Sequence, residues 1–323
     1  MKNKTEILNG LVIRGSRNIL TVRVETKTQG QKELECRIKG KVLKADEKYY
    51  NPIAPGDIVV IECETNMDKA MILSVEKRRN LFSRFNQKGS ASQLLAANVD
   101  LVLCICTPVS PPFRPRFLDR VLLQADAAGI EALVICNKAD LYTDDLSANN
   151  LDVDERLEEY NRIGYKLLRV SAKTGEGIED FRREITGKTC VLTGQSGVGK
   201  SSLINALQPG LNIKEGRLNE KYDRGVHTTT MSFMIELADK TRLIDTPGVR
   251  RFIPDGILPE DLIFHMREFS PLAGKCSFGL SCSHKTEPGC KIMEAVAAGV
   301  IHEDRYESFL RIRSDLEDGG GDD

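Results

Sequence analysis

Short alternations of apolar and polar residues fill the first quarter of the chain. They run through residues 10–14, 19–24, 34–38, 57–63 and 70–75. A period of two marks half-buried β-strands. Turn residues separate the runs: Arg14-Gly15-Ser16, Gln29-Gly30, and the stretch from Pro52 to Pro55-Gly56-Asp57. Five strands within residues 1–76 predict a small barrel, either an OB-fold or another small β-fold. Residues 77–98 read as a polar connector that starts with Lys77-Arg78-Arg79. From Val99 the pattern changes. Apolar strands at 99–107, 132–136, 166–170 and 189–193 alternate with helical patterns at 116–128, 153–163 and 178–185. That alternation predicts βαβ units and a parallel sheet. After Pro254 comes a loop-rich stretch with clustered Cys and His, then a mostly helical tail over 291–317 and an acidic end. The expected division is therefore a barrel (1–76), a linker (77–98), an α/β domain (99–254) and a C-terminal module (255–323).

The sharpest motif follows the strand at 189–193. Gly194-Gln195-Ser196-Gly197-Val198-Gly199-Lys200-Ser201 fits G-x-x-x-x-G-K-[ST], and a helix is expected over 201–207. Such a loop turns its backbone N–H groups onto phosphate oxygens. Lys200 reaches the β- and γ-phosphates, and the Ser201 hydroxyl ligates Mg²⁺. Ser202, in the same turn, is counted with the nucleotide contacts. The helix N-terminus adds partial positive charge.

A phosphate loop does not choose the base. Asn137-Lys138-Ala139-Asp140 stands directly after an apolar strand, at the carboxyl end where open α/β sheets bind ligands. The Asp140 carboxylate can accept hydrogen bonds from guanine N1–H and the 2-amino group. Adenine offers an acceptor at N1 and no 2-amino group, and would leave the carboxylate unpaired. Asn137 is expected to brace the loop, and the Lys138 stem to cover the base plane. Ser171-Ala172-Lys173 follows the next strand and is expected near the base oxygen. Asp245-Thr246-Pro247-Gly248 follows Leu243-Ile244. Asp245 suits the Mg²⁺ shell, and the Gly248 N–H suits the γ-phosphate. Between these lies Gly225-Val226-His227-Thr228-Thr229-Thr230, where a Thr hydroxyl can close on Mg²⁺ as a switch segment does.

The parts of a GTPase are all present, in an unusual linear order: N-K-x-D and S-A-K precede the phosphate loop. In this order, and with Gly-x-His-Thr-Thr-Thr and a C-terminal Cys/His cluster, the sequence resembles the circularly permuted GTPases. Specifically, it resembles the ribosome-small-subunit-dependent (RsgA/YjeQ-like) family, over nearly the whole chain. The resemblance implies hydrolysis of GTP to GDP with Mg²⁺, and a late checkpoint in maturation of the small (30S) ribosomal subunit. It also implies rRNA contact, stimulation by the subunit and release on hydrolysis. The motif match favours Thr229 as the Mg²⁺ ligand beside Ser201 and Asp245. The permutation ends the GTPase core just after Asp245-Thr246-Pro247-Gly248, so motion there is expected to reach the C-terminal module.

Ras-like enzymes orient the attacking water with a Gln after D-x-x-G. Val249 stands there and cannot do so. Either hydrolysis is intrinsically slow, or another group acts. His227 is the candidate: histidine is polar and can titrate near neutrality, and this one adjoins the switch Thr residues; the resemblance assigns it the catalytic role. On the residues alone, a GTPase with another RNA partner and a non-catalytic nucleotide-gated RNA-binding scaffold stay open. Cys276, Cys282, His284 and Cys290 offer three thiolates and one imidazole within fifteen residues, the composition of a closed structural Zn²⁺ site. Members of the family usually have four residues between the first two Cys; here there are five. His265 and His302 have no partner pattern, and packing or solvent exposure is expected for both.

Composition changes the picture at two points. The other six of the nine cysteines are scattered, which reads as a reduced interior and a cytoplasmic protein. No apolar run approaches the length of a membrane span, and the polar N-terminus lacks a signal-peptide core. A monomer is expected. The net charge of −1 argues against a uniformly basic RNA binder. Yet residues 1–90 hold 18 Lys and Arg against 11 Asp and Glu, a net of +7, and the remainder carries −8. The total averages a basic barrel end, suited to rRNA phosphates, with an acidic remainder.

Overall fold

The computed structural model of the 323-residue chain describes residues 5–15, 19–26, 30–39, 49–64, 68–142, 149–213, 232–246 and 251–318. Its first six strands are β1 (Thr5–Gly15), β2 (Leu20–Thr26), β3 (Gly30–Ile38), β4 (Tyr49–Asn51), β5 (Ile58–Glu64) and β6 (Lys69–Val75). All but β4 form a closed barrel. β2 pairs antiparallel with β1 and β3, β6 runs parallel to β3 and antiparallel to β5, and β5 closes on β1 from Thr5↔Glu64 to Leu11↔Ile58. This is the strand order of an OB-like barrel. The inward members of the alternation, Val12, Leu20, Val22, Leu34, Val59, Ile61 and Ile72, fill it. Gly10 is required where strands approach: a Cβ there would lie 2.3 Å from Val22 Cγ1.

Residues 77–98 differ from the expected connector. They contain a hairpin, β7 (Leu81–Asn86) and β8 (Ala91–Ala97), with β4 added beside β8. Polar residues conceal it in the pattern, because Ser83 and Arg84 interrupt the apolar residues of β7 and a polar run, 86–90, separates the two strands. Phe82 and residues 95 and 96 nevertheless face the core of the α/β domain and are buried there.

The α/β domain follows as β9 (Leu101–Cys106), α1 (Pro115–Ala127), β10 (Glu131–Cys136), α2 (Asn149–Arg162), β11 (Lys166–Arg169), α3 (Ile178–Ile185), β12 (Thr189–Gly194), α4 (Lys200–Leu207), β13 (Phe233–Glu236) and β14 (Arg242–Asp245). The sheet order is β11-β10-β9-β12-β14-β13, parallel except for β13. Helices cover both faces, which explains the continuous apolar runs. Val102, Cys104, Val134 and Ile244 face α1 and α2. Leu103, Ile105, Leu133 and Leu192 face α3 and α4.

The sheet does not stop at β13. Its Phe233 pairs with Arg14 of β1, so the barrel is hydrogen-bonded onto the edge of the α/β sheet. Glu236 ties the junction, accepting from Arg23 of β2 at 3.1 Å and from Arg242 of β14 at 3.3 Å.

The C-terminal region has short 3₁₀ turns, then α5 (Lys291–Ala297) and α6 (Glu303–Glu317). Phe269 stacks on Phe309 at 4.7 Å, and Leu123 of α1 enters the same core. The two remaining histidines are both partly buried. His302 caps α6: its Nδ1 accepts from the Asp304 N–H at 3.2 Å. The junction with α1 is ionic and buried. Arg305, 1% exposed, donates to Asp119 Oδ1 at 2.6 Å and to Glu268 Oε1 at 2.5 Å. Asp119 also accepts from Arg156 at 2.9 Å and from the Tyr160 hydroxyl at 2.6 Å.

Candidate functional site

The phosphate-loop residues sit between β12 and α4, at the carboxyl end of the central strand. Gly197 and Gly199 hold φ of +86° and +90°, a region costly for side-chain-bearing residues. At Gly199 space is also decisive, because a Cβ would meet Asn137 Nδ2 at 2.4 Å. Lys200 Nζ donates to the carbonyls of Gly194 at 3.0 Å and Gln195 at 3.3 Å. It lies across the loop where a phosphate would sit. Burial lowers its pKa, opposed by the Asp245 charge. Val198 and Ser201 are buried, Ser202 is partly so, and Gln195 and Ser196 stand at the loop's rim.

Asn137 joins three segments that are far apart in sequence. Its Nδ2 donates to the Val198 carbonyl at 2.8 Å, and its Oδ1 accepts from the Ala172 N–H at 3.2 Å. It is 1% exposed, so both bonds are made out of water, where leaving one unmade is costly. Lys138, at φ +63°, stretches its amine to the carbonyls of Ser110 at 2.6 Å and Gly197 at 2.8 Å. Its stem thus spans the mouth between the two loops. The Ala139 N–H binds the Val170 carbonyl at 3.0 Å, fixing the turn that presents Asp140. Asp140 Oδ1 accepts from Ser171 Oγ at 2.7 Å, and Lys173 Nζ lies 3.6 Å from its other oxygen. The Ser171 bond is the main cause holding the Asp140 pKa below its usual value. Lys173 is largely exposed.

Asp245 ends β14, opposite Leu192 of β12. Among the described residues its Oδ1 is buried without a hydrogen-bond partner. Burial raises its pKa to about 7, against the pull of Lys200. The next residue, Thr246, anchors the strand end by donating to the Leu192 carbonyl at 2.7 Å. Pro247, Gly248 and Val249, and the whole segment with His227, Thr228, Thr229 and Thr230, lie outside the described residues.

The chain re-enters at Arg251 and is clamped at once. The Phe252 ring, fully buried, lies 5.8 Å from Phe82 and 6.4 Å from Phe117. Asp255 accepts from Ser83 at 2.6 Å and Ser92 at 2.7 Å. So the tether from Asp245 to the C-terminal module first crosses the β7–β8 hairpin. The pattern of residues 77–98 does not signal this contact.

Cys276, Cys282, His284 and Cys290 converge, all buried, with their ligand atoms within 4.8 Å of one another. Cys276 Sγ lies 3.9 Å from Cys290 Sγ and 3.6 Å from His284 Nδ1, which is 3.4 Å from Cys290 Sγ. Tetrahedral zinc with three sulfurs and one nitrogen sets its ligands about 3.5–3.8 Å apart. The set therefore fits Zn²⁺. Three outer contacts orient it: the Lys291 N–H donates to Cys276 Sγ at 3.3 Å, the Tyr306 hydroxyl to the His284 carbonyl at 2.6 Å, and Arg313 to the Ser283 carbonyl at 3.2 Å. The fifth residue of the first Cys–Cys loop is absorbed in a 3₁₀ turn, Gly279–Ser281, with Gly279 at φ +56°.

Residues 75–253 match the family model described as RsgA GTPase. The chain is 34% identical over 313 residues to the "Small ribosomal subunit biogenesis GTPase RsgA" of Bacteroides fragilis, covering 97% of this chain and 98% of that one. It is 38% identical over 283 residues to the protein of that name from Flavobacterium johnsoniae, 86% of each. Among solved structures, YjeQ from Thermotoga maritima superposes with a TM-score of 0.70 at 30% identity, over 97% of this chain and 99% of that one. YloQ, titled a circularly permuted GTPase, superposes at 0.68 and 24% identity over 98% of both, a likeness of fold.

Proposed function

Because the chain belongs to the RsgA GTPase family and is therefore a GTP hydrolase, we propose that it is a nucleotide-controlled maturation factor of the small ribosomal subunit. In this reading the GTP form engages the subunit, the subunit stimulates hydrolysis, and the GDP form leaves. The observation that carries it is the junction of β13 with β1. The barrel, which holds 13 Lys and Arg against 11 Asp and Glu over residues 1–76 and is followed by five more cations at 77–88, is hydrogen-bonded to the strand between the 214–231 segment and Asp245. RNA phosphates on the barrel and nucleotide in the site then act on one sheet edge.

The chain's own residues divide the work. Asp140, turned by Ser171, accepts from the guanine N1–H and 2-amino groups; Asn137, Lys138, Ala139, Ala172 and Lys173 frame the base. The 194–202 loop wraps the phosphates, and Lys200 exchanges its two carbonyl partners for phosphate oxygens. Ser201 and Asp245 would hold Mg²⁺ with Thr229. The hydroxyl and carboxylate oxygens are hard donors, and the unpartnered buried Oδ1 of Asp245 suits a cation. When bound, Mg²⁺ would supply positive charge against the charge developing on the phosphates. Gly248 meets the γ-phosphate through its N–H. His227 orients the attacking water, the task that Val249 cannot do. Cys276, Cys282, His284 and Cys290 hold one structural Zn²⁺ that supports folding of their loops. The protein works as a monomer in the cytoplasm and binds rRNA through the barrel. Among the described residues no helix is long and apolar enough to cross a membrane.

Turnover with and without purified small subunits tests this reading. Strong stimulation by small subunits, absent with large subunits or tRNA, is expected. His227→Ala should retain GTP affinity and lose the stimulated rate. Equal stimulation by unrelated RNA, or undiminished turnover in that variant, refutes the partner or the His227 role respectively. Absence of turnover under all conditions makes the protein a nucleotide-gated scaffold instead.

A further inference from the structure

A cavity of about 590 Å³ lies away from the phosphate loop, between the first turn of α1, the outer face of α6 and Arg251–Phe252. This is within the size range of small-ligand pockets, about 300–1,000 Å³. Six arginines line it: Arg114, Arg116, Arg120, Arg156, Arg251 and Arg311. Only Asp304, Glu307 and Asp315 oppose them in the lining. These carboxylates are shared. Glu307 accepts from Arg116 at 3.1 Å and from Arg311 at 2.6 Å. Asp315 pairs with Arg120 at 2.5 Å and Arg251 at 3.6 Å. Among the described residues Arg114 has no carboxylate partner. The lining therefore keeps a surplus of positive charge.

Surface arginines alone would not make a site. Arg156 is different: it is 2% exposed, and while its Nη2 donates to Asp119 at 2.9 Å, its Nε and Nη1 have no hydrogen-bond partner. Arg120 Nε, also buried, is in the same position. Buried guanidinium donors without acceptors are costly, and the described residues supply none to these three. The thirteen-residue α1 begins on this wall, with Pro115 at its first turn and no side-chain cap. Its positive dipole end adds to the same field.

We propose that this cavity binds a phosphate-bearing anion of the polyphosphate class, gripped by guanidinium forks from α1, α2 and α6. Planar guanidinium groups match phosphate oxygens in pairs. An occupant would neutralise the surplus charge and hold α6 to α1. It would also brace Arg251, which comes directly after the segment beyond Asp245. The phosphates come either from a free polyphosphate or from an RNA backbone. Occupancy of this cavity does not require nucleotide in the GTP site.

Isothermal titration of the full-length, GDP-saturated protein with inorganic tripolyphosphate tests it, since GDP occupies the phosphate loop. One site is expected, and its affinity should fall at least tenfold in the double variant Arg114→Ser/Arg311→Gln, with GDP affinity unchanged. Binding on the barrel or the basic stretch 77–88 would not respond to these substitutions. No binding, or equal affinity in the variant, overturns the proposal. Arg114→Ser alone touches an exposed, unpaired side chain, so the fold is kept, and a partial loss of affinity is expected of it too; no loss refutes the Arg114 contact. A short RNA then distinguishes the sources: competition with tripolyphosphate that the double variant abolishes assigns the backbone of RNA, and its absence assigns a free polyphosphate.

Discussion

Arg305→Met should undock the C-terminal module from α1. The guanidinium is 1% exposed and divides itself between Asp119 and Glu268, whose side chains are 0% and 5% exposed. Methionine keeps most of the volume and removes the charge. Asp119 retains Arg156 and Tyr160. Glu268 retains nothing comparable, for its second oxygen is already buried without a partner. Stranding one member of a buried pair costs about 3–5 kcal/mol, a large share of the stability of a typical domain. Amide hydrogen exchange over α6 reads this better than a global melt, because a chain of several units need not unfold in one step. At about 1.4 kcal/mol per decade, α6 exchange should accelerate by about 10²–10³-fold or more, while β12 is unchanged. Adding Glu268→Gln should recover much of the loss by removing the stranded charge. Acceleration below about fivefold, or no recovery in the double variant, refutes the assignment of Arg305 as the joint. Acid acts on the same joint. Burial raises the Asp119 pKa, but Arg305 and then Arg156 more than offset this and hold it below the usual carboxylate value. A depressed folded-state value contributes stability present above the unfolded pKa, about 3.9 for Asp, and lost as pH falls through the folded value. Acid should therefore release α6 below about pH 4 in the native protein, and at higher pH in Arg305→Met.

Gly199→Ala should lower GDP affinity at least tenfold in a fluorescent-nucleotide titration, because the Cβ collides with Asn137 Nδ2 and φ is +90°; unchanged affinity would mean that the Asn137–Val198 bond does not shape the loop. Cys290→Ser should abolish stoichiometric zinc by metal analysis and expose α5 and α6 to proteolysis, with GDP binding kept; full zinc content would remove Cys290 from the ligand set. Phe252→Ala should cost about 3–5 kcal/mol in denaturant unfolding of the α/β domain and speed exchange in both β7 and α1, its two ring neighbours. A loss under 1 kcal/mol would show that Phe252 is no clamp.

Legibility in the sequence divides along the range of the interactions. The strands at 99–107, 132–136 and 189–193 declare themselves because both faces are buried, so nearly every position is apolar. N-K-x-D and the phosphate loop are legible as words, but the bond that joins them is not: Asn137 reaches Val198 across 61 residues. Arg305 lies in the stretch expected only to be mostly helical, and its partners Asp119 and Glu268 are 186 and 37 residues away. The hairpin at 81–97 misleads for the converse reason: Ser83-Arg84 and the polar stretch 86–90 interrupt its apolar residues, yet Phe82 has a ready neighbour in Phe252. The permuted motif order is legible, and the sheet explains why it is tolerated. β12 lies between β9 and β14 whatever the chain order, so the nucleotide loops meet by spatial adjacency. The permutation instead alters the course of the chain beyond β14. There the chain is free to leave the sheet, cross the hairpin at Phe252 and Asp255, and build a module onto α1. The barrel meets the same region from the other side, through Arg14 and Phe233. The barrel thus attaches to β13, while the C-terminal module follows β14 along the chain and packs on α1; the ends of β13 and β14 lead into the segments proposed to sense the γ-phosphate. In this architecture a change at the nucleotide is expected to reach the barrel through β13 and the C-terminal module through the chain that leaves β14.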